Sequence, residues 1–144
     1  MKITIETPQA GEEEQIIIKA HHLTPEIFNM LNAFKSGGAM LIANIGSEIH
    51  RINPADIFYI ETVDNKTFLY GEGKVYESKQ KLYELDALSL TDFLRISKST
   101  IINLSKIQSL VPSISGRLEA VLAGGERVVI SRQYVSALKK NLGI

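Results

Sequence analysis

The stretch "DFLRISKSTIINLSKI", residues 92–107, carries the pattern that decides the fold of this 144-residue chain. Its two ends are apolar, with Phe93, Leu94 and Ile96 before the centre and Ile101, Ile102 and Leu104 after it. Its centre holds four polar side chains in five positions: Arg95, Ser97, Lys98 and Ser99. Apolar residues of these types favour β-strands, and a half-buried strand needs only one polar face. The pattern therefore predicts a loop fixed by a strand at each end, with side chains available to a partner.

Segments of the same β character occur on both sides of this loop. They are "DIFYIETV" (56–63), "KTFLYGE" (66–72), "KVYES" (74–78), "IQSLV" (107–111) and "GRLEAVLAGGERVVI" (116–130). Short apolar runs separated by turn residues are typical of antiparallel sheets, and Gly124 and Gly125 indicate a hairpin turn within the last segment. The predicted fold class is therefore mainly β with short helices.

Two short helices interrupt the strands. The first is predicted over 78–88, where Leu82, Leu85 and Leu88 share one face. The second is predicted over 131–143. There Ser131 is expected to cap the start of the helix and Gly143 to end it.

The N-terminal part has the pattern of a small ββα unit. "KITIET" (2–7) and "QIIIKA" (15–20) predict two strands, and "TPEIFNMLNAFKSGG" (24–38) predicts a helix. Thr24 can cap this helix, and Gly37 and Gly38 are expected to end it. Its expected apolar face consists of Ile27, Leu31 and Phe34. We therefore divide the chain into an N-terminal extension, 1–45, and a domain, 46–144.

Composition excludes several classes of protein. A content of 44% hydrophobic and 22% charged residues is that of a folded globular protein, so a disordered or fibrous chain is excluded. The absence of cysteine excludes a disulfide framework and a thiolate metal site. No apolar stretch approaches the roughly 18 residues of a membrane span. The acidic N-terminus does not resemble a signal peptide, so we expect a cytoplasmic protein.

The charged residues are unevenly distributed. Residues 1–92 contain 8 Lys and Arg against 14 Asp and Glu, a balance of −6, whereas residues 93–144 contain 8 against 2, a balance of +6. A cationic region attracts phosphate whatever the rest of the chain carries. The alternative is that the two parts pack together and neutralise each other.

No motif of an enzyme or metal site is present. His21 and His22 are neighbours whose side chains point to opposite faces of a strand, and His50 lies far away in the sequence, so a shared metal is not expected. "GEGK" (71–74) lacks the full phosphate-loop pattern. No histidine stands near a serine as its base. We predict no catalytic residue, no metal and no cofactor.

Two clusters in the basic part have the chemistry of nucleic-acid contacts. In the first, Arg95 offers a rigid fork of donors, Lys98 a point charge and Ser99 a hydroxyl, all of which suit phosphate or base edges. In the second, Ser131 and Arg132 would present free backbone amides and a cation together at a helix start. Either cluster alone is equally well explained as ordinary surface, but two clusters in one basic region favour DNA.

The ordered segments "DIFYIETVDNKTFLY", "KLYELDAL", "DFLRISKSTIINLSKIQSL" and "GRLEAVLAGGERVVISRQYVSALKKNLG" together resemble a LytTR-type DNA-binding domain over residues 46–144. The resemblance implies an elongated fold of stacked small sheets. It also implies that loops enter successive major grooves of double-stranded DNA at promoter direct repeats and that binding bends the DNA.

The resemblance also assigns residue roles. Arg95, Lys98 and Ser99 match the family's central contact loop, and Arg132 matches an arginine that reaches bases. The turn that contains Lys66 and Thr67 matches the remaining contact loop. It lacks the histidine found there in many members, which leaves the base preference open. Asn103 is expected to be structural, securing the loop through backbone hydrogen bonds.

The N-terminal extension determines which kind of LytTR protein is implied. Residues 1–55 contain no aspartate, so a phosphorylated receiver domain is not expected there. The chain resembles stand-alone LytTR regulators, some of which are held inactive by a membrane protein. The extension could instead form a homodimer or simply cover the sheet. Two rival classes remain at this point, a β-rich protein-interaction or ligand-sensing module and a small enzyme that uses Ser and Lys.

Overall fold

The computed structural model describes residues 2–35, 40–88, 90 and 92–144, with the backbone alone over 32–35. This part of the chain forms ten strands and three α-helices, with five strands between one helix and the next. The strands are β1 (Leu41–Ile45), β2 (Glu48–Ile52), β3 (Ile57–Val63), β4 (Lys66–Gly71), β5 (Lys74–Ser78), β6 (Phe93–Arg95), β7 (Thr100–Asn103), β8 (Ile107–Pro112), β9 (Leu118–Leu122) and β10 (Arg127–Ile130). The helices are α1 (Pro25–Lys35), α2 (Leu82–Ala87) and α3 (Val135–Leu142). The predicted fold class, mainly β with short helices, is confirmed.

The strands form two antiparallel sheets. The larger has seven strands in the order β2-β1-β5-β4-β3-β7-β6, and the smaller has three in the order β10-β9-β8. The predicted loop between apolar runs is the connection between β6 and β7, which pair with each other in the larger sheet. Strand β7 also pairs with β3, so this loop is attached to the middle of the domain.

Two apolar cores lie on opposite faces of β3 and β7. One core packs Ile60 and Ile101 with α2, and the other packs Phe58 and Ile102 with the smaller sheet and α3. Side chains alternate along a regular strand, but the pairing of β3 with β4 shifts register between Ile57 and Tyr59. This bulge turns both Phe58 and Tyr59 towards the second core. Strand β3 therefore supports both layers at once.

Asn103 secures the junction between β7 and β3. It is 1% exposed. Its Nδ2 donates to the carbonyl of Ile57 at 2.9 Å. Its Oδ1 accepts from the backbone N–H of Ser105 at 3.0 Å and from the Ser105 hydroxyl at 2.7 Å. The predicted structural role is confirmed, although its bonds go to the bulge of β3 and to the turn after β7.

The predicted N-terminal helix is confirmed and the two predicted strands before it are wrong. Helix α1 begins after Thr24, whose Oγ1 accepts from the N–H of Ile27 at 3.3 Å. Gly37, Gly38 and the side chain of Phe34 lie outside the described residues. Residues 2–23 contain no strand. A two-stranded hairpin is only marginally stable without a sheet to pair with, which accounts for the difference.

The larger sheet extends across the boundary drawn between residues 45 and 46. Strand β1 pairs with β2 through a tight hairpin and with β5 at Asn44 and Glu77. Leu41 and Ala43 lie in the first core. Strand β1 therefore belongs to the same sheet as the strands that follow it.

The two later helices are shorter than predicted. Helix α2 buries Leu82 and Leu85 but leaves Leu88 beyond its end and 45% exposed. Helix α3 is preceded by a 3-10 turn over Arg132–Tyr134. Gly143, at φ +74°, ends α3 as predicted, because it leaves the helix in the left-handed conformation that glycine adopts readily.

Candidate nucleic-acid interface

Several connections of the chain meet at one end of the larger sheet. Because neighbouring strands are antiparallel, the ends of β3, β5 and β6 coincide with the starts of β4 and β7. We call this end the contact edge; it comprises residues 64–66, 79–81 and 96–99, together with the adjoining turn 131–132. Neighbouring strands lie about 4.8 Å apart, so the edge from β5 to β6 is about 19 Å long.

The loop 96–99 is fixed on three sides by backbone hydrogen bonds. Ile96 is 0% exposed, and its N–H donates to the carbonyl of Thr100 at 3.0 Å. The carbonyl of Ile96 accepts from the N–H of Ser131 at 2.9 Å, and that of Ser99 accepts from the N–H of Thr62 at 2.8 Å. These bonds join the two clusters singled out in the sequence into one rigid unit.

Arg95 holds this loop from the inside. Its Nε donates to the carbonyl of Ser97 at 2.7 Å, and its Nη2 donates to the carbonyl of Lys98. Its Nη1 lies 3.8 Å from Oδ2 of Asp86 on α2, and the side chain is only 26% exposed. The sequence predicted a guanidinium presented to DNA, whereas in the structure it satisfies carbonyls of its own loop.

Lys98 and Ser99 occupy different environments. Lys98 is exposed at the tip of the loop. Ser99 is half-buried, and its N–H donates to Oγ of Ser97 at 3.2 Å. Lys98 therefore points outward, while the hydrogen bond between Ser99 and Ser97 stabilises the turn that carries it.

Arg132 is exposed next to the loop, and Gly116 makes room for it. A Cβ placed on Gly116 would lie 3.1 Å from Cδ of Arg132, and Gly116 has φ +76°. The aliphatic part of Arg132 thus lies against a position that accepts no larger residue without displacement. No sequence pattern indicates this contact, because Gly116 is one of several glycines in turns.

Ser131 does not cap the helix as predicted. Its side chain makes no capping hydrogen bond; instead its carbonyl accepts from the N–H of Tyr134 at 2.8 Å. Its own N–H donates to the carbonyl of Ile96. Ser131 therefore connects the loop to the final helix through its backbone.

The β3–β4 turn presents Lys66 but not Thr67. Asp64 and Asn65 both have positive φ, 50° and 62°, as a type I′ hairpin turn requires. Lys66 is exposed next to this turn. Thr67 is 2% exposed and lies on the same face of β4 as the core residue Leu69, so its side chain is directed towards the core.

A polar cleft lies at the end of the contact edge formed by β4 and β5. The residues that line it are Asn44, Gly46, Asn65, Lys66, Thr67, Glu77, Ser78, Lys79, Gln80 and Lys81. Lys79 and Lys81 were missed by the sequence reasoning because they fall in the acidic part of the chain. The only available signal was the local run "SKQK" (78–81).

A pair of tyrosines stands on β3 and β4. The rings of Tyr59 and Tyr70 stack with centroids 4.3 Å apart. Burial raises the pKa of Tyr59 well above its usual value, and Glu126 raises it further. Burial also raises the pKa of Tyr70, with Glu61 adding to the effect. Both phenols therefore stay neutral, and their hydroxyls remain donors.

Within the described part of the chain, no group of three or more His, Asp or Glu side chains is arranged to hold a metal ion. Over the same residues, no helix is both long and apolar enough to cross a membrane.

Both the sequence and the fold match a known family of DNA-binding domains. Residues 47–143 match the sequence model of the LytTr DNA-binding domain. The chain belongs to the LytTR family. A solved LytTr DNA-binding domain from Bacillus cereus superposes with a TM-score of 0.70 and 27% identity, covering 75% of this chain and 100% of that one. The resemblance found in the sequence is confirmed.

Similar full-length proteins are transcriptional regulators by name. One from Staphylococcus aureus strain MSSA476 is 27% identical over 146 residues, which cover 100% of this chain and 99% of that protein. One from the bovine strain RF122 is 26% identical with the same coverage. Both are named as HTH-type. In the described part of the present LytTR chain, strands separate the three α-helices, so no helix-turn-helix is formed there.

Proposed function

We propose that this protein is a cytoplasmic transcription regulator that binds double-stranded DNA sequence-specifically and has no catalytic activity. The observation that carries the proposal is the contact edge of a LytTR domain, in which Lys98 and Arg132 are exposed on two turns that are joined by the backbone hydrogen bond from Ser131 to Ile96. A fixed pair of cations on strand-end loops is suited to enter a major groove, where arginine reads guanine and lysine neutralises phosphate.

The remaining predicted site residues take supporting roles in this proposal. Arg95, Ser99 and Ser131 fix the loop and its neighbouring turn, while Lys66 extends the cationic surface along the edge. Thr67 is assigned no contact with DNA because it is buried. The proposed targets are direct repeats near promoters, each read by the loops of one domain.

Selection from a pool of random duplexes tests the proposal. The purified full-length chain is incubated with the pool at near-physiological salt, and the bound duplexes are recovered and sequenced. We expect enrichment of a spaced direct repeat. Folded protein that enriches no sequence and shows no saturable binding would instead support a β-rich protein-interaction module.

We also propose that the chain binds DNA as a homodimer through its N-terminal extension, 1–45. Four isoleucines before α1 are between 66% and 93% exposed: Ile3, Ile5, Ile16 and Ile17. Burying such side chains lowers the free energy, and a second copy of the chain presents the same four isoleucines for mutual burial. Light scattering over a range of concentrations tests this. A monomer at every concentration would favour another partner for the extension, such as an inhibitory membrane protein.

A further inference from the structure

We propose that the cleft between Lys66, Lys79 and Lys81 binds the phosphate backbone of the same DNA duplex that the contact loops read. We call it the lysine cleft. The inference rests on the proposed function and extends the interface from Lys66 to Lys79 and Lys81, two residues that neither the sequence pattern nor the family resemblance singled out.

The first support is that three strands converge on this cleft in fixed register. Thr67 of β4 pairs with Ser78 of β5, which places Lys66 beside the segment that carries Lys79 and Lys81. Asn44 of β1 pairs with Glu77 and closes the far side. The sheet therefore places Lys66, whereas Lys79 and Lys81 lie in the short connection between β5 and α2, where the N–H of Gln80 donates to Oγ of Ser78 at 3.1 Å.

The second support is charge. The cleft is lined by three lysines and one carboxylate, that of Glu77. Each of the three lysines is exposed. Among the residues that the structure describes, no ion pair within 4.0 Å involves any of the three. The amides of Asn44 and Asn65 add neutral donors to the lining. Ammonium groups and amides of this kind contact phosphate oxygens without selecting a base.

The third support is distance. Strand β5 lies three strand spacings from β7, the strand that begins directly after the Lys98 loop. At about 4.8 Å per spacing this is about 14 Å, slightly more than the roughly 12 Å width of the major groove. When Lys98 enters the groove beside one DNA strand, the phosphates of the other strand lie about 12 Å away, close to the lysine cleft. The cleft and the reading loop are thus spaced to grip one duplex together.

A salt titration of DNA affinity distinguishes a phosphate contact from a base contact. Each neutralised phosphate contributes about −0.9 to the slope of log affinity against log salt. We expect the double variant Lys79→Gln with Lys81→Gln to reduce the magnitude of the slope by up to about 2. We also expect equal fold losses on the selected operator and on a random duplex, with an unchanged ratio between them.

Lys74→Gln is the matched control, since Lys74 is an exposed lysine at the opposite end of the same strand β5. It should change neither the affinity nor the slope. The single variant Lys79→Gln should reduce the magnitude of the slope by up to about 1. Lys79→Arg keeps the charge and should retain the wild-type slope. Fluorescence anisotropy with labelled duplexes measures all of these, and a melting curve of each variant checks that it is folded.

An unchanged slope in the double variant, or a loss confined to the operator, overturns the lysine cleft while leaving the proposed function intact. Wild-type protein that binds no duplex overturns the proposed function itself. A titration with inorganic phosphate alone gives the remaining outcome. Saturable phosphate binding that the double variant loses, with DNA affinity unchanged, would assign the cleft to a free anion and refute its role on DNA.

Discussion

Asn103→Leu tests whether one buried amide holds together the strands that carry the contact loop. Leucine has a similar volume but neither donates nor accepts a hydrogen bond. The substitution removes three bonds, the one from Nδ2 to the carbonyl of Ile57 and the two that Oδ1 accepts from Ser105. Their former partners then have to find water or stay unpaired.

The magnitude follows from where those partners lie. Ile57 is 0% exposed at the bulge of β3, and a buried group left without a partner costs about 1–3 kcal/mol. The two groups of Ser105 are only part-buried, so they regain water and add about 1 kcal/mol together. The total is about 2–4 kcal/mol, a large share of the roughly 5–15 kcal/mol that stabilises a domain. For a domain near 100 residues the melting temperature falls by about 4–8 °C per kcal/mol, hence by at least about 8 °C.

Denaturant unfolding followed by circular dichroism measures the loss. Asn141→Leu is the control, because Asn141 is exposed and bonds only to the carbonyl of Ala137 one turn earlier in its own helix. It should stay within about 0.5 kcal/mol of the wild type. If Asn103→Leu also stays within that range, the amide does not hold the two strands and the reasoning fails.

Three further substitutions test the contact edge by anisotropy titration. Arg132→Ala should lose about 1–3 kcal/mol on the selected operator and less on random DNA, as a base-reading arginine would, and equal losses would make it a phosphate contact. Lys98→Ala should weaken binding to both duplexes and reduce the magnitude of the salt slope by about one; an unaltered slope would remove it from the interface. Arg95→Met removes the hydrogen bonds that hold the loop and should therefore weaken DNA binding by about 1 kcal/mol. The loss is small because these bonds are partly exposed and water replaces them. Its salt slope should not change, and a slope reduced by about one would show that Arg95 touches a phosphate after all.

The missing strands at the N-terminus show a limit of local patterns. Residues 2–7 and 15–20 have strand composition, and a turn does form between them, where the N–H of Glu12 donates to the carbonyl of Gln9 at 3.0 Å and Gly11 has φ +91°. A strand also needs a partner for its backbone and a surface for its side chains. Ile5 remains 93% exposed, so neither is supplied within the described part of the chain. Composition indicates what a segment can form, and the rest of the fold determines whether it does so.

The sequence by itself determined the features that depend on neighbouring residues. The strand segments from 56 onward, the cap at Thr24, the end of α3 at Gly143 and the polar loop between two apolar runs all follow from local steric and hydrogen-bonding preferences.

Only the tertiary structure decided which of the polar residues face outward. Thr67 and Lys66 are adjacent in the sequence, yet one faces the core and the other solvent, because the pleat alternates and only the packed layers show which face is covered. Arg95 turns into its loop because carbonyls that the folded turn brings together need donors. Lys66 and Lys79 come together because β4 and β5 pair in a fixed register, and that register depends on the whole sheet.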